Sequence, residues 1–181
     1  PITGTLLKFK ESGFTVLARP MAVSAMESIT GIFMRYETQK VSKGHGRMAP
    51  ISVHDKAYKG VLETIDEIHG RQAAHKIQIY DRSLQQIKEI TPAIGDVAPS
   101  LYIEQQRNQP VSMKTAMAVV ENWGDIFESM ANRKALDVEY KNAVESWAVV
   151  KAEMLSRLQV GFTQRAMLNN AIVEIDSILP S

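Results

Sequence analysis

The chain has 181 residues, of which 45% are hydrophobic and 23% charged, so it is long enough for one substantial core and too hydrophobic for a disordered protein. It contains no cysteine, which excludes a disulfide framework, thiolate catalysis and zinc sites that need sulfur. The formal net charge is only +1, yet residues 1–60 carry nine basic and four acidic side chains. Such an excess suits contact with a polyanion or a neighbouring acidic surface, although chance segregation onto solvated faces would give the same count.

The first predicted element is a small β-hairpin. Residues 5–10 and 14–19 are short apolar-rich segments, and residues 11–13 between them have the length and chemistry of a three-residue hairpin loop. Two strands are not stable alone in water. We therefore expect the hairpin to lie on the helices or on another subunit.

A helix is predicted over residues 20–41. Pro20 suits a first helical position, and the apolar residues that follow recur at steps of three and four. The next segment, residues 41–50, contains Gly44, Gly46 and Pro50, which break the helical period. We interpret it as a basic loop.

A second long helix is predicted from a Ser52-Val-His-Asp55 capping box to about Ile90, with a bend at His69-Gly70. Residues 91–111 contain three prolines and Gly95, which indicates a long connection without regular structure.

The C-terminal part is predicted to be helical from Ser112, which can cap the first turn. Breaks near Asn132-Arg133 and at Gly161 divide this stretch into two or three helices. The predicted buried stripe of the first comprises Ala116, Val119, Val120, Trp123, Ile126, Phe127 and Met130. The stripe continues through residues such as Leu136, Trp147, Met154, Phe162, Leu168, Ile172 and Ile175.

The predicted fold class is mainly α: a helical bundle with long helices, a basic N-terminal arm and a small β-hairpin. Residues 1–50 would form the arm, made of the hairpin and one helix, and residues 51–181 the bundle.

No catalytic or metal-ligating constellation stands out. Asp66-Glu-Ile-His69 is the only segment close to the Glu-x-x-His pair of di-iron bundles, and no second one exists. No serine stands in a nucleophile elbow. We therefore expect a protein that is not an enzyme and that has no metal, cofactor or catalytic residues.

Lys43-Gly-His-Gly-Arg47 has the composition of a phosphate-binding loop, because glycines expose backbone amides beside two cations. It lacks the Gly-x-x-x-x-Gly-Lys-Ser/Thr spacing of a nucleotide site. Contact with nucleic-acid phosphates is the functional interpretation, and a solvated connection between helices is the alternative. The predicted phosphate contacts are Arg35, Lys40, Lys43, Arg47, Lys56 and Lys59.

A helical core of this size with a basic N-terminal arm resembles the major coat proteins of filamentous archaeal viruses, which wrap double-stranded DNA. The resemblance implies a self-assembling capsid subunit of the virion that contacts the DNA backbone without sequence specificity. Its partners would be copies of itself or a related coat subunit, and double-stranded DNA. We expect no membrane span, since no apolar run approaches the roughly 20 residues needed. The alternative is a cytoplasmic helical adaptor or chaperone-like module that binds a protein partner.

Overall fold

The computed structural model describes residues 2–93 and 97–179, which form seven α-helices and one three-stranded sheet. The prediction of a mainly α protein is confirmed. In chain order the elements are α1 (Ile2–Glu11), β1 (Leu17–Ala18), α2 (Ala25–Lys43), α3 (Ile51–Gly70), β2 (Lys76–Tyr80), β3 (Gln86–Ile90), α4 (Pro99–Arg107), α5 (Met113–Asn132), α6 (Asp137–Arg157) and α7 (Phe162–Ser177). Within the described ranges, no helix combines the length and apolar character that a membrane crossing requires.

The chain groups into two units, each built from two separate stretches of sequence. Unit 1 comprises residues 1–24 and 55–108, and unit 2 comprises residues 25–54 and 109–181. The predicted division into an arm of residues 1–50 and a bundle of residues 51–181 stays a prediction.

Unit 1 contains the sheet, in the order β1-β2-β3. β1 runs parallel to β2, and β3 is antiparallel to β2. Ile77 and Ile79 alternate with polar residues along β2 and are fully buried, in a core that also includes Val16, Ile65 and Ile103. Alternate residues of a strand point to one face, so this period of two is what buries both isoleucines.

Two predictions in this unit are wrong. The predicted hairpin over residues 5–19 is instead helix α1 followed by the short strand β1. Thr3, Leu6 and Leu7 pack inward from α1, and their spacing of three and four is helical. The predicted helix to about Ile90 ends at Gly70, and the real hairpin is β2–β3, whose turn is held by Asp81 accepting from the backbone N–H of Ser83 and of Gln85.

The predicted structureless connection contains helix α4, which begins at Pro99 and ends at Arg107. Its first turn is attached to α3, because the carboxylate of Asp66 accepts from the Ser100 backbone N–H at 3.0 Å and from the Ser100 hydroxyl at 2.6 Å. Gly95, part of the same prediction, lies outside the described residues.

Unit 2 is a bundle in which α2, α5, α6 and α7 surround two tryptophans. The rings of Trp123 and Trp147 lie 5.6 Å apart, and both are almost completely buried. All seven residues of the predicted α5 stripe are buried, and Ser112 caps α5 by accepting from the Thr115 N–H. The predicted breaks separate α5, α6 and α7. Leu136 and Phe162, predicted to be buried, are instead exposed.

Within residues 2–93 and 97–179 neither long helices nor a basic N-terminal arm is found, so these two finer parts of the predicted fold class find no support, whereas the mainly α class holds. The longest described helix, α6, has 21 residues. The described residues before 50 contribute buried side chains to the cores, Val16 and Ala18 in unit 1 and Met26 and Phe33 in unit 2. The predicted helix over residues 20–41 does exist, as α2, but it begins at Ala25 because Pro20 accepts from the Tyr80 backbone beside β2.

Candidate functional site

The predicted phosphate contacts fall in both units. Arg35, Lys40 and Lys43 belong to α2, and Arg47 follows in the loop, all in unit 2. Lys56 and Lys59 lie in the part of α3 that belongs to unit 1, where both are exposed. They remain predicted contacts. The candidate site consists of unit 2 residues alone.

The loop after α2 folds back along its own helix. Gly44 has φ +72°, a left-handed conformation that suits glycine at the end of a helix. Gly46 then lies so close to Tyr36 that an added Cβ would meet the Tyr36 ring and carbonyl oxygen at 3.0 Å. The backbone of the loop therefore lies directly against α2. This contact fixes the position of the Gly46 backbone and hence of the Arg47 backbone that follows it.

Beneath this contact lies a buried cluster of charges centred on Arg133, the residue that caps the C-terminus of α5. Its guanidinium binds Glu37 of α2 at 2.7 Å and Glu139 of α6 at 2.9 Å. Glu139 also accepts from the Leu136 backbone N–H at 2.9 Å, in the first turn of α6. One arginine thus ties three helices together.

Tyr36 and Lys40 complete the cluster. The Tyr36 hydroxyl donates to Glu139, and the Lys40 ammonium lies 3.4 Å from the same carboxylate. Burial by itself raises the pKa of Glu139, but hydrogen bonds from Arg133 and Tyr36 outweigh it and lower that pKa to about 2. Burial and the bond to Glu139 raise the pKa of Tyr36 above its usual value. Glu139 is consequently ionised and Tyr36 neutral at physiological pH.

The charges inside the cluster balance one another. Glu37 and Glu139 are matched by Arg133 and Lys40. The remaining cations of this region, on Arg35, Lys43 and Arg47, are exposed and form no ion pair within the described ranges. Arg47 directly follows Gly46, which lies against Tyr36 of the neutral cluster, and an exposed cation at this place is suited to an anionic group such as phosphate.

A groove of about 360 Å³ runs along α2. Its walls comprise Met34, Glu37, Thr38, Val41 and Ser42 of α2 and Asp125, Ile126 and Ser129 of α5. The Ser129 hydroxyl donates to Glu37 at 3.0 Å, so the buried cluster forms part of the wall.

Sequence reasoning missed Glu37, Arg133 and Glu139, which organise this site. Two signals were present: the helix break at Asn132-Arg133, and the spacing of Leu136 and Glu139, which places a carboxylate where it can cap α6. Neither signal identifies the partner in α2. In the part of the chain that the structure describes, no group of His, Asp and Glu residues could hold a metal ion.

Comparison with known proteins points to a different class from the one the sequence suggested. Residues 4–87 match the family model of Zeta toxin, which describes a P-loop kinase-like family. The match spans somewhat less than half of the chain and includes α1, β1, α2, α3, β2 and the start of β3. No curated protein matches the chain.

This match overturns several predictions. The resemblance to coat proteins of filamentous archaeal viruses is wrong, and with it the capsid function, the filament and the location in a virion, because the matched family is kinase-like and not a capsid family. The expectation that the protein is not an enzyme is wrong for the same reason. The predicted partners, further copies of the chain and double-stranded DNA, are untested and stay predictions.

Proposed function

We propose that this chain is part of a kinase-like phosphotransferase that acts on a small, phosphate-bearing molecule. The observation that carries the proposal is the Zeta toxin match over residues 4–87. The three cations without an ion pair, Arg35, Lys43 and Arg47, all lie within the matched residues. They are the residues expected to touch phosphate.

Phosphoryl transfer places particular demands on such a site. A substrate hydroxyl attacks the terminal phosphorus of a nucleoside triphosphate and releases its proton to water, a new oxygen–phosphorus bond forms, and the nucleoside diphosphate leaves with the electrons of the broken bond. Negative charge is spread over the oxygens of the transferred group, so the protein contributes mainly positioning and positive charge. Arg47 and Lys43 supply charge, and arginine can bind a phosphate through two parallel hydrogen bonds.

The buried cluster supplies the positioning. A flexible loop loses conformational entropy each time it closes on a ligand, whereas a loop already held in place loses less. Gly46 rests on Tyr36, and Tyr36 is fixed through Glu139 to Arg133. Arg47 is therefore anchored by its backbone while its side chain stays exposed.

The acceptor is proposed to carry a phosphate of its own. An acceptor that carried only a hydroxyl group would need no cations for its binding, whereas a phosphate group would. The groove along α2 has space for the rest of a small molecule. Lys43 and Arg47 would hold the acceptor's phosphate and orient its hydroxyl towards the triphosphate.

Calorimetric titration with pyrophosphate, ADP and adenosine tests this arrangement. We expect pyrophosphate and ADP to bind and adenosine to bind far more weakly. Arg47→Glu should weaken pyrophosphate binding by at least about tenfold, roughly 1.4 kcal/mol, because a repulsion replaces an attraction.

Lys114→Glu is the matched control, since Lys114 is an exposed cation of the same unit, on α5 and away from the loop. Equal weakening by Lys114→Glu and Arg47→Glu would mean that only net charge matters. That outcome would refute the assignment of the loop as a phosphate site.

A further inference from the structure

The groove along α2 offers a ligand no backbone hydrogen-bond donor. The residues that line it lie well inside α2 or α5, where each backbone N–H bonds to the carbonyl four residues earlier. Val41 and Ser42 belong to the last turn of α2, the end of a helix that carries partial negative charge. The backbone around the groove therefore favours a donor or a cation.

The hydroxyl groups of the lining all donate to acceptors inside the protein. Thr38 donates to the Met34 carbonyl at 2.9 Å, and Ser42 donates to the Thr38 carbonyl at 2.6 Å. Ser129 donates to Glu37 at 3.0 Å. Each hydroxyl oxygen keeps free lone pairs once its proton is engaged, so these side chains offer a ligand acceptors and no donor.

Asp125 adds a negative charge to the groove. Its side chain is exposed and has no ion pair or hydrogen bond with another residue in the described ranges. The second carboxylate of the lining, Glu37, is already bound by Arg133. The exposed cations of α2, Arg35 and Lys43, are not among the lining residues. The groove consequently carries one negative charge that no described side chain neutralises.

The rest of the lining is apolar. Met34, Val41 and Ile126 contribute hydrocarbon surface, and the Val41 side chain is 69% exposed. Phosphate and carboxylate groups, which are acceptors with negative charge, are unsuited to such walls. An ammonium group has three donors and no acceptor, and an alkyl stem attached to it can cover the apolar side chains.

We propose that the groove along α2 binds a small molecule that carries a protonated primary amine on an alkyl stem. The ammonium group pairs with Asp125 and donates to the hydroxyl oxygens of the lining, while the stem packs on Met34 and Val41. The binding site follows from the groove alone. Its role in holding the acceptor, which would then carry an amine as well as a phosphate, rests on the proposed function.

Methyl NMR of the protein without nucleotide tests the site, with pentylammonium as the probe and pentanol and pentanoate as uncharged and anionic probes of the same length. We expect pentylammonium to shift the Met34 and Val41 methyl signals saturably, with a Kd in the millimolar range. Pentanol and pentanoate should bind at least about fivefold more weakly, because neither matches the charge of the groove.

Two variants separate the groove from the net charge of the protein. Asp125→Asn keeps the size of the side chain and should weaken pentylammonium binding about fivefold, the scale of one partly exposed ion pair. Glu145→Gln is the matched control, because Glu145 is an exposed carboxylate of α6 that does not line the groove. It removes the same charge and should leave the affinity unchanged.

Equal binding of pentanol would mean that the groove recognises only apolar surface, and tighter binding of pentanoate would make it an anion site; either result would overturn the proposal. Equal weakening by the two variants, or no shift of the methyl signals, would also overturn it. All these readouts are independent of phosphoryl transfer, so the amine site can fail while the proposed function stands. Amine binding without phosphoryl transfer would support the site and remove only its role for the acceptor.

Discussion

Arg133 holds Glu37 through two parallel hydrogen bonds, from Nε to Oε2 at 2.8 Å and from Nη2 to Oε1 at 2.7 Å. The Glu37 side chain is only 5% exposed, so this carboxylate depends on the arginine for its charge balance. Two-point contacts of this kind fix orientation as well as distance. The loop that we assign to phosphate binding rests on this contact through the rest of the cluster.

Removing the arginine should destabilise the protein strongly. Arg133→Met leaves two buried carboxylates without their main cation, and we expect a loss of about 3–5 kcal/mol in the free energy of unfolding. Urea denaturation measures this change in the free energy of unfolding. Arg71→Met is the control, because Arg71 forms an exposed pair with Glu67 and its loss should cost less than about 1 kcal/mol. Similar losses in the two variants would show that the cluster is not a structural centre.

Acid should weaken the same cluster. The pKa of Glu139 is about 2 in the folded protein against an ordinary value of 4.5, so its ionised form contributes stability that is fully present above about pH 5. That contribution is lost progressively as the pH falls towards 2. We expect the Tm of the wild type to fall more steeply over this range than that of Glu139→Gln, which has no such proton to take up. Parallel curves for the two proteins would contradict the shifted pKa.

Gly46→Ala should impair binding more than folding. Its new methyl group would press on the Tyr36 ring and carbonyl, and the carbonyl belongs to a helix that cannot easily yield. We expect the loop to move outward, with pyrophosphate affinity falling about fivefold, roughly 1 kcal/mol. Gly4→Ala, where an added Cβ meets nothing within 4 Å, should not alter the affinity. Unchanged binding by Gly46→Ala would show that the contact does not position the loop.

Thr30 supports the core of unit 2 through a buried relay. The Trp123 indole N–H donates to the Thr30 hydroxyl at 2.9 Å, and that hydroxyl donates to the Met26 carbonyl at 2.7 Å. Thr30→Val leaves the indole N–H without an acceptor, at a cost of about 1–3 kcal/mol in unfolding free energy. Thr38→Val on the same helix removes only the exposed bond to Met34 and should be nearly neutral. Equal effects in urea denaturation would contradict the relay.

The sequence predicts the C-terminal helices well because their signal is strong and local. Between Ser112 and Met130 the apolar residues recur at helical spacing, and no strand-like alternation overlaps them. Ser112 precedes them and caps the helix. The hairpin β2–β3 was missed because Ile77, Tyr80 and Ile87 also fit helical steps of three and four. Buried and exposed residues alternate along Lys76–Tyr80, and Asp81 forms the turn that follows; both features indicate a strand and not a helix. The strand forms because it buries Ile77 and Ile79 in the core of unit 1.

Of the candidate site, the sequence indicates the exposed cations but not the buried charged cluster. The sequence identifies Lys43 and Arg47 as exposed cations, because Gly44 and Gly46 between them indicate a loop. It does not identify the buried ions, since Glu37 and Glu139 have the residue type and spacing of an ordinary solvated face. Only their partner Arg133, 96 positions beyond Glu37 in the chain, reveals that they are interior.

Phosphorus NMR of the protein with ATP, magnesium and a mixture of phosphorylated sugars and nucleotides tests the phosphotransferase assignment most directly. The account predicts a new phosphomonoester signal that grows in step with ADP, and its loss in Arg47→Glu but not in Lys114→Glu. A folded protein that leaves ATP intact, or that releases only inorganic phosphate, would contradict it.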